Sequence, residues 1–462
     1  MKNPVSEKEI NDIVSRGMAE FIDPNKNFRT KLASSPESVV IKFGVDPTRP
    51  DIHLGHAVVL RKLRQLQNLG CKVVFLIGDY TALIGDPTGK SKVRPEIEQA
   101  EIEANMKTYL DQVGKILRTD AEVFSWIRNS DWFYSLEDML APAQSLEITD
   151  SHGASGKMSF PENSFFAKAI VYENTRMQKA LRPSQGVVNI TMRGLLWTLR
   201  HITHSRLIER DMFQKRLEQH EELYMHEMLY PILQGIDSFA LHQIYGGCDL
   251  EIGGSDQTFN MLMGRDVMRI NKQEPQAVMS LKLLVGTDGQ EKMSKSLDNY
   301  ISIADAPADM YGKVMSIPDN LLIDYFELCT YTPLDEIELL AKDLKDDKKN
   351  PRDIKMRLGR EIVSIYHGEK AAEAAEEQFV QTFQKGGIPD DAPSVTVPVG
   401  SLLSEVVLEQ GMAKSKSEYR RLLEEGAVSN AETGEKITDP NYALDRDQVI
   451  RIGKIRFLKI VI

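Results

Sequence analysis

The chain has 462 residues, 42% of them apolar and 27% charged, with 30 Gly and 20 Pro, which excludes a wholly disordered or collagen-like protein. Lys and Arg total 57 against 68 Asp and Glu, a net charge of −11, so a uniformly basic nucleic-acid coat is excluded but a local basic face is not. Cys71, Cys248 and Cys329 lie far apart with no CxxC, against a disulfide framework or zinc ribbon. MKNPVSEKEI has no apolar signal core, and no apolar run approaches the ~18 residues of a membrane span. A cytoplasmic globular protein with no membrane association is expected.

Residues 1–35 read as a helical lead-in, with Ile10, Ile13, Val14 and Met18 at helical spacing. SVVIKFGV then reads as a strand, DPTRPD as a loop, and HLGHAVVLRKLRQLQNLG as a helix closed by Gly70. KVVFLIGD repeats the strand, and TALIGDPTGKSKVRP is a second loop. This alternation predicts a doubly wound α/β domain over residues 1–300, with ligands beyond the carboxyl ends of its strands. Residues 143–190 have weak periodicity and read as an excursion from that domain. A helical region is expected over 301–385, where Asn350-Pro351 caps a helix whose Ile354, Leu358, Ile362 and Ile365 share one stripe. QKGGIPDDAPSV, residues 384–395, reads as a linker. In the tail, 396–462, basic and acidic residues balance at ten each, and the bases cluster in AKSKSEYRRLL and RIGKIRFLKI, expected as one helix and one strand.

His53-Leu54-Gly55-His56 opens a helix after an α/β loop. Histidines three apart share a face in the first turn, where free N–H groups and the dipole favour anions, so the pair suits nucleotide phosphates; a solvent-facing pair is equally open. Glu291-Lys292-Met293-Ser294-Lys295-Ser296 is a Gly-flanked loop whose two lysines could neutralise a polyphosphate. GKMSF, Gly156–Phe160, lacks the second lysine and is a decoy. GDPTGKS fails the P-loop pattern because Ile84 stands where Gly is required, although Lys90 and Arg94 remain candidate phosphate ligands. Tyr230, Gln234 and Asp237 fall at i, i+4 and i+7 among Leu229, Ile232, Leu233 and Ile236, which is either the wet side of a helix or the wall of a pocket. Glu251-Ile252-Gly253-Gly254-Ser255-Asp256-Gln257 is a Gly-rich turn that could let a backbone approach a ribose.

HLGH after a first strand, with KMSKS far downstream, resembles the class I aminoacyl-tRNA synthetases. KFGVDPTRPDIHLGH, LIGDPTGKSKVRP, YPILQGID and EIGGSDQ are similar to the tyrosyl branch of that family, and the tail to a small RNA-binding domain shared with the ribosomal protein S-four family. The resemblance covers residues from about 38 to 142 and 191 to 462, with the excursion outside it. It implies a Rossmann-like catalytic domain, an α-helical anticodon-side domain and a small α+β RNA-binding domain. It also implies that L-tyrosine and ATP form tyrosyl-adenylate and pyrophosphate, with tyrosine then passed to its tRNA.

Residue roles follow the same resemblance. His53 and His56 would hold the ATP phosphates, with Gly44, Asp46, Thr48 and Gly55 around them, and Lys292, Lys295 and Ser296 would close on pyrophosphate with Lys90 and Arg94. Asp256, Gly253 and Gly254 would bind the ribose. Asp86 and Tyr230 would take the substrate α-amino group, Gln257 its carboxylate, and Asp237 with Gln234 the phenol. Lys414, Lys416, Arg420, Arg421, Lys454 and Arg456 would face RNA. Magnesium would accompany ATP, no metal-ligand set is expected in the protein, and a homodimer is implied. Lys42 stands where many relatives have an aromatic hydroxyl touching the phenol. The tryptophanyl branch, which shares fold and motifs, is the nearest alternative, a nucleotidyltransferase of the HxGH type the second, and a non-catalytic RNA-binding paralogue the third.

Overall fold

The β-branched runs either side of the HLGH helix form neighbouring strands that are largely buried on both faces, as in a sheet covered by helices. In the computed structural model these are β2 (Val40–Val45) and β3 (Lys72–Ile77), which follow β1 (Met18–Ile22). The structure describes residues 5–48, 52–87, 99–133, 142–149, 155–162, 192–346, 349–384, 392–413, 415–453 and 456–462. The chain divides into two units, one of Met1–Ala304 with Ile323–Leu339, the other of Asp305–Leu322 with Leu340–Ile462. The helical region expected over 301–385 is thus shared between them.

The first unit holds β4 (Phe124–Arg128), the hairpin strands β5 (Gln144–Thr149) and β6 (Ser155–Phe160), β7 (Leu250–Gly254) and β8 (Ala277–Leu281). Its six-stranded sheet runs β1-β8-β7-β2-β3-β4. Every pairing is parallel except that of the edge strand β1 with β8. Chain order reverses between β2 and β7, which opens a crevice beyond their carboxyl ends. The helix Leu54–Leu69 joins β2 to β3, burying Leu54, Ala57, Leu60, Leu63 and Leu66, and Gly70 ends it at a φ of 112°. The helix Met225–Tyr245 contributes Ile232, Leu233, Ile236 and Leu241 to a core that includes Val40, Val74 and Leu76 of the sheet.

Two expectations are revised in this unit. The lead-in is not helical throughout: its helix stops at Ser15, Gly17 takes a φ of 63°, and Met18 starts β1, which pairs with β8. A left-handed glycine ends the helix, and an open sheet edge offers the next residues a ladder. The 143–190 excursion begins as the hairpin β5–β6, whose second strand is largely exposed and contains the decoy GKMSF. Residues 163–191 lie outside the described residues, as do residues 385–391 of the 384–395 linker.

In the second unit, Pro351–His367 is the expected helix. Asn350 accepts from the Arg352 N–H at 3.0 Å, and Ile354, Leu358 and Ile362 are buried with Val363, while Ile365 is only half-buried. The tail places the bases of RIGKIRFLKI on two strands rather than one. Beside β9 (Ser394–Thr396) and β10 (Val428–Asn430), β11 (Gln448–Ile452) pairs antiparallel with β12 (Arg456–Val461). Gly453, at a φ of 72°, turns the chain between them. The four strands lie in the order β10-β11-β12-β9 over a core that includes Leu403, Tyr419, Leu423, Ile450 and Leu458.

Candidate active site

The two motifs that lie far apart in sequence meet at the start of the Leu54–Leu69 helix. Leu54 N–H donates to Ile301 O at 2.9 Å and Ile303 N–H to Ile52 O at 3.1 Å, so the segment just after the KMSKS loop is bonded to the HLGH turn. The His53 and His56 rings lie 3.9 Å apart between centroids, and His56 Nδ1 accepts from His53 N–H at 3.3 Å. His53 Nδ1 is buried and has no hydrogen-bond partner among the described residues. Burial, then the Lys295 and Lys292 charges, lowers His56 to about 3; at His53, lowered to about 2, the neighbouring His56 also contributes. Both imidazoles are therefore neutral at pH 7. A Cβ on Gly55 would meet the His53 ring at 3.0 Å, so glycine leaves room for the imidazole.

The KMSKS loop is pinned from beneath. Met293 is buried and its N–H donates to Leu284 O at 2.8 Å, while Asn299 accepts from Ser294 N–H at 2.7 Å and donates to Asp288 at 2.7 Å. Lys292 Nζ sits 2.6 Å from Asp256 Oδ2, so a candidate phosphate ligand rests on the candidate ribose ligand. Lys295 opens a short 3-10 turn. The side chain of Ser296, and all of Lys90 and Arg94, lie outside the described residues.

Gly253 and Gly254 end β7. A Cβ on Gly254 would come within 2.7 Å of Asp256 Oδ1, so the glycine leaves Asp256 its position. Gly44 is exposed near the end of β2, and Thr48 N–H donates to Asp46 O at 2.8 Å.

Tyr230, Gln234 and Asp237 are not a wet helix face: Tyr230 and Asp237 are buried and Gln234 half-buried. Asp237 accepts from Trp132 Nε1 at 2.9 Å and faces Asn129 Nδ2 at 3.5 Å. Burial pushes its carboxyl up to about 7, against the pull of Lys42 and these two donors. Tyr230 and Asp86 each have a hydrogen-bond partner of their own. Tyr230 OH donates to Asp46 Oδ2 at 2.8 Å, whereas Asp86 accepts from Gln257 Nε2 at 2.6 Å and faces Arg210 Nη2 at 3.8 Å. Asp46 also accepts from Thr81 Oγ1 at 2.9 Å, and Thr81 in turn from Asn129 Nδ2 at 2.9 Å. Gln234 donates to Glu251 at 3.0 Å rather than to Asp237.

Trp132, Asn129 and Arg210 escape the sequence reading. FSWIRNSDW carried a usable signal for two of them, since a strand followed by a turn puts Asn129 and Trp132 at a carboxyl end of the sheet. Arg210 lies in a polar stretch that gives no sign of its burial.

Gly78 packs tightly against Asp46 and Thr81. Its φ of −83° suits any residue, but a Cβ would fall 2.1 Å from Asp46 Oδ1 and 2.4 Å from Thr81 Oγ1. Gly78→Ala is expected to cost about 1–3 kcal/mol in urea unfolding by overpacking, and to raise the substrate KM by moving Asp46 off Tyr230. Unchanged stability would show that the Asp46 loop gives way freely.

The buried titrating groups also set a pH dependence. Both imidazoles have depressed pKa values, so their contribution to stability is present above the unfolded pKa of about 6.5 and is lost as pH falls. Asp237, raised to about 7, works the other way and favours the fold below neutrality. Two histidines against one carboxylate leave a net uptake of about one proton on unfolding near pH 5, so these groups together make stability fall on acidification. Replacing both by His53→Gln and His56→Gln should flatten or reverse that fall in urea melts between pH 4.5 and 6; an unchanged slope would contradict it.

On the tail, the helix Lys416–Glu424 exposes Lys416, Arg420 and Arg421. Arg456 is half-buried and its Nη1 donates to Met412 O. Lys414 and Lys454 lie outside the described residues.

Residues 35–146 and 146–384 match the model of the family tRNA synthetases class I (W and Y), a match that runs through the 143–190 excursion rather than around it. The chain is 40% identical over 454 residues to a tyrosine–tRNA ligase of Moorella thermoacetica, covering 97% of this chain and 94% of that one. It is also 40% identical to tyrosine–tRNA ligase 2 of Clostridium acetobutylicum, with 97% and 98% covered. A C-terminally truncated mitochondrial tyrosyl-tRNA synthetase of Aspergillus nidulans shares the fold at a TM-score of 0.57 and 20% identity, over 82% of this chain and 95% of that one. The Archaeoglobus fulgidus tyrosyl-tRNA synthetase solved with L-tyrosine does so at 0.52 and 19%, over 80% and 99%.

Proposed function

Since this chain belongs to the class I tRNA synthetases for tryptophan and tyrosine and ligates tyrosine to tRNA with ATP as substrate, we propose that the crevice between β2 and β7 is where tyrosine is activated. The buried Asp237, held by Trp132 Nε1 at 2.9 Å, carries this reading: it is a carboxylate whose remaining oxygen suits a phenol hydroxyl. Asp86 and Tyr230 bind the α-amino group, Gln257 positions the carboxylate, and Gln234 supports the phenol end. ATP lies with its phosphates over His53, His56 and Thr48, its ribose on Asp256 and the Gly253-Gly254 backbone, and Gly44, Asp46 and Gly55 alongside.

Two neutral imidazoles donate hydrogen bonds to phosphate without a proton being exchanged. No residue acts as nucleophile. The tyrosine carboxylate attacks the α-phosphorus, the bond to the pyrophosphate oxygen breaks in line, and Lys292, Lys295 and Ser296, with Lys90 and Arg94, take up the charge on the leaving group. Lys292 must exchange Asp256 for phosphate as ATP enters. Among the described residues no cluster of three or more His, Cys, Asp or Glu is arranged to hold a metal ion, and magnesium arrives with the ATP phosphates.

The protein works in the cytoplasm as a homodimer; exposed Leu196, Trp197, Tyr224 and Met225 supply apolar area of the kind a partner copy covers. Among the described residues no helix is long and apolar enough to cross a membrane. Residues 1–300 act as the catalytic domain, 301–385 as the anticodon-side domain, and 396–462 as the RNA-binding domain through Lys414, Lys416, Arg420, Arg421, Lys454 and Arg456. Arg420→Ala combined with Arg421→Ala is expected to raise the KM for tRNA about tenfold and to reduce its salt dependence by about two ions, the signature of lost phosphate contacts. A KM and salt slope equal to the parent's would remove this helix from the RNA face.

A further inference from the structure

Lys42 is fully buried in β2, beneath the helix that carries Asp237. An ammonium has three N–H donors, and Lys42 has three acceptors: Gln234 O at 2.7 Å, Ser238 Oγ at 2.9 Å and Glu251 Oε1 at 2.9 Å. It has no donor left for a substrate. Glu251 is equally committed. Oε1 also accepts from Gln234 Nε2 at 3.0 Å, and Oε2 from Ser238 Oγ at 3.2 Å and from Gln276 Nε2. The pair therefore grips the Met225–Tyr245 helix at Gln234 and Ser238, which flank Asp237. Replacing a buried ion pair by apolar side chains of similar size is often neutral or stabilising, so stability alone gives no reason for charge at this position.

Resting on the assignment of Asp237 to the phenol, we propose that Lys42, paired with Glu251, is a positioning residue that fixes the orientation and charge state of Asp237, so that tyrosine selection depends on an ion pair that never touches tyrosine. The other groups around Asp237 leave this task to the pair. Trp132 and Asn129 beyond β4 are neutral, Tyr230 on the same helix is bonded to Asp46, Asp79 is turned to Ser130, and the Thr258–Ile270 helix brings Met263 and Val267. Lys42 pulls the Asp237 carboxyl down and Glu251 pushes it up. Each charge has its own direction of effect.

The test is the pH profile of kcat/KM for tyrosine in ATP–pyrophosphate exchange by the full chain, whose acid limb reports the free enzyme. Lys42→Met should move the limb up by about one pH unit and Glu251→Gln should move it down by about as much. The double variant should bring it back to within about 0.3 units of the parent. Structural damage would depress the rate in every variant without moving the limb in opposite directions. If Lys42→Met fails to fold, Glu251→Gln below the parent with the double variant at the parent still supports the proposal. A limb at one pH in parent, Glu251→Gln and double variant overturns it. Asp237→Asn, run in parallel, separates the two levels: a limb that survives there removes Asp237 from the phenol and the proposal with it.

Discussion

Asp237→Asn should raise the tyrosine KM in ATP–pyrophosphate exchange by about 10- to 150-fold and leave the phenylalanine KM within about twofold of the parent's. The range is the ~1.5–3 kcal/mol of a hydrogen bond to a charged group. Trp132 Nε1 holds Oδ1 at 2.9 Å, so an asparagine must keep its oxygen there and turn its amide toward the phenol and Asn129, which is itself a donor. The charged acceptor is lost while the side-chain volume is kept. Phenylalanine never used that acceptor, so selectivity should fall by the same factor as tyrosine affinity. A parallel loss for both amino acids would make Asp237 a structural residue of the Trp132 contact.

Lys292→Ala combined with Lys295→Ala is expected to lower kcat of exchange by about 10²- to 10³-fold, the scale of removing donors aimed at charge that develops in the transition state. The tyrosine KM should stay within about twofold. Little stability is at stake, because the Lys292–Asp256 pair is partly exposed and such pairs contribute at most about 1 kcal/mol. The loop keeps its shape through Met293, Ser294 and Asn299, none of which is altered. An intact kcat would place the pyrophosphate elsewhere.

The sequence announces this fold where local pattern and tertiary need agree. β2, β3 and the helix between them are apolar enough, with Gly70 at the helix end, to be read directly. Met18 is misread because helical spacing continues past Gly17, and only the waiting edge of β8 makes a strand there. RIGKIRFLKI looks like one strand because apolar and basic residues run through it on both sides of Gly453; the chain turns where that glycine is left-handed. At the site, HLGH and KMSKS are legible as strings, and the stripe of Tyr230, Gln234 and Asp237 is legible as a helix face. Pairings that cross the sheet are not, because nothing local encodes them. Tyr230 on Asp46, Lys292 on Asp256 and Lys42 on Glu251 each join elements far apart in the chain. Gly55 shows the limit well: its identity is legible and its purpose, room for the His53 ring, is not.

A crystal structure of the full chain with a non-hydrolysable tyrosyl-adenylate analogue would test the site most directly. The phenol oxygen is expected about 2.5–3.0 Å from Oδ2 of Asp237, the α-phosphate against the HLGH turn and the ribose hydroxyls on Asp256 after Lys292 has left it. A phenol seated away from Asp237, or a ribose bound while Lys292 still holds Asp256, would contradict it.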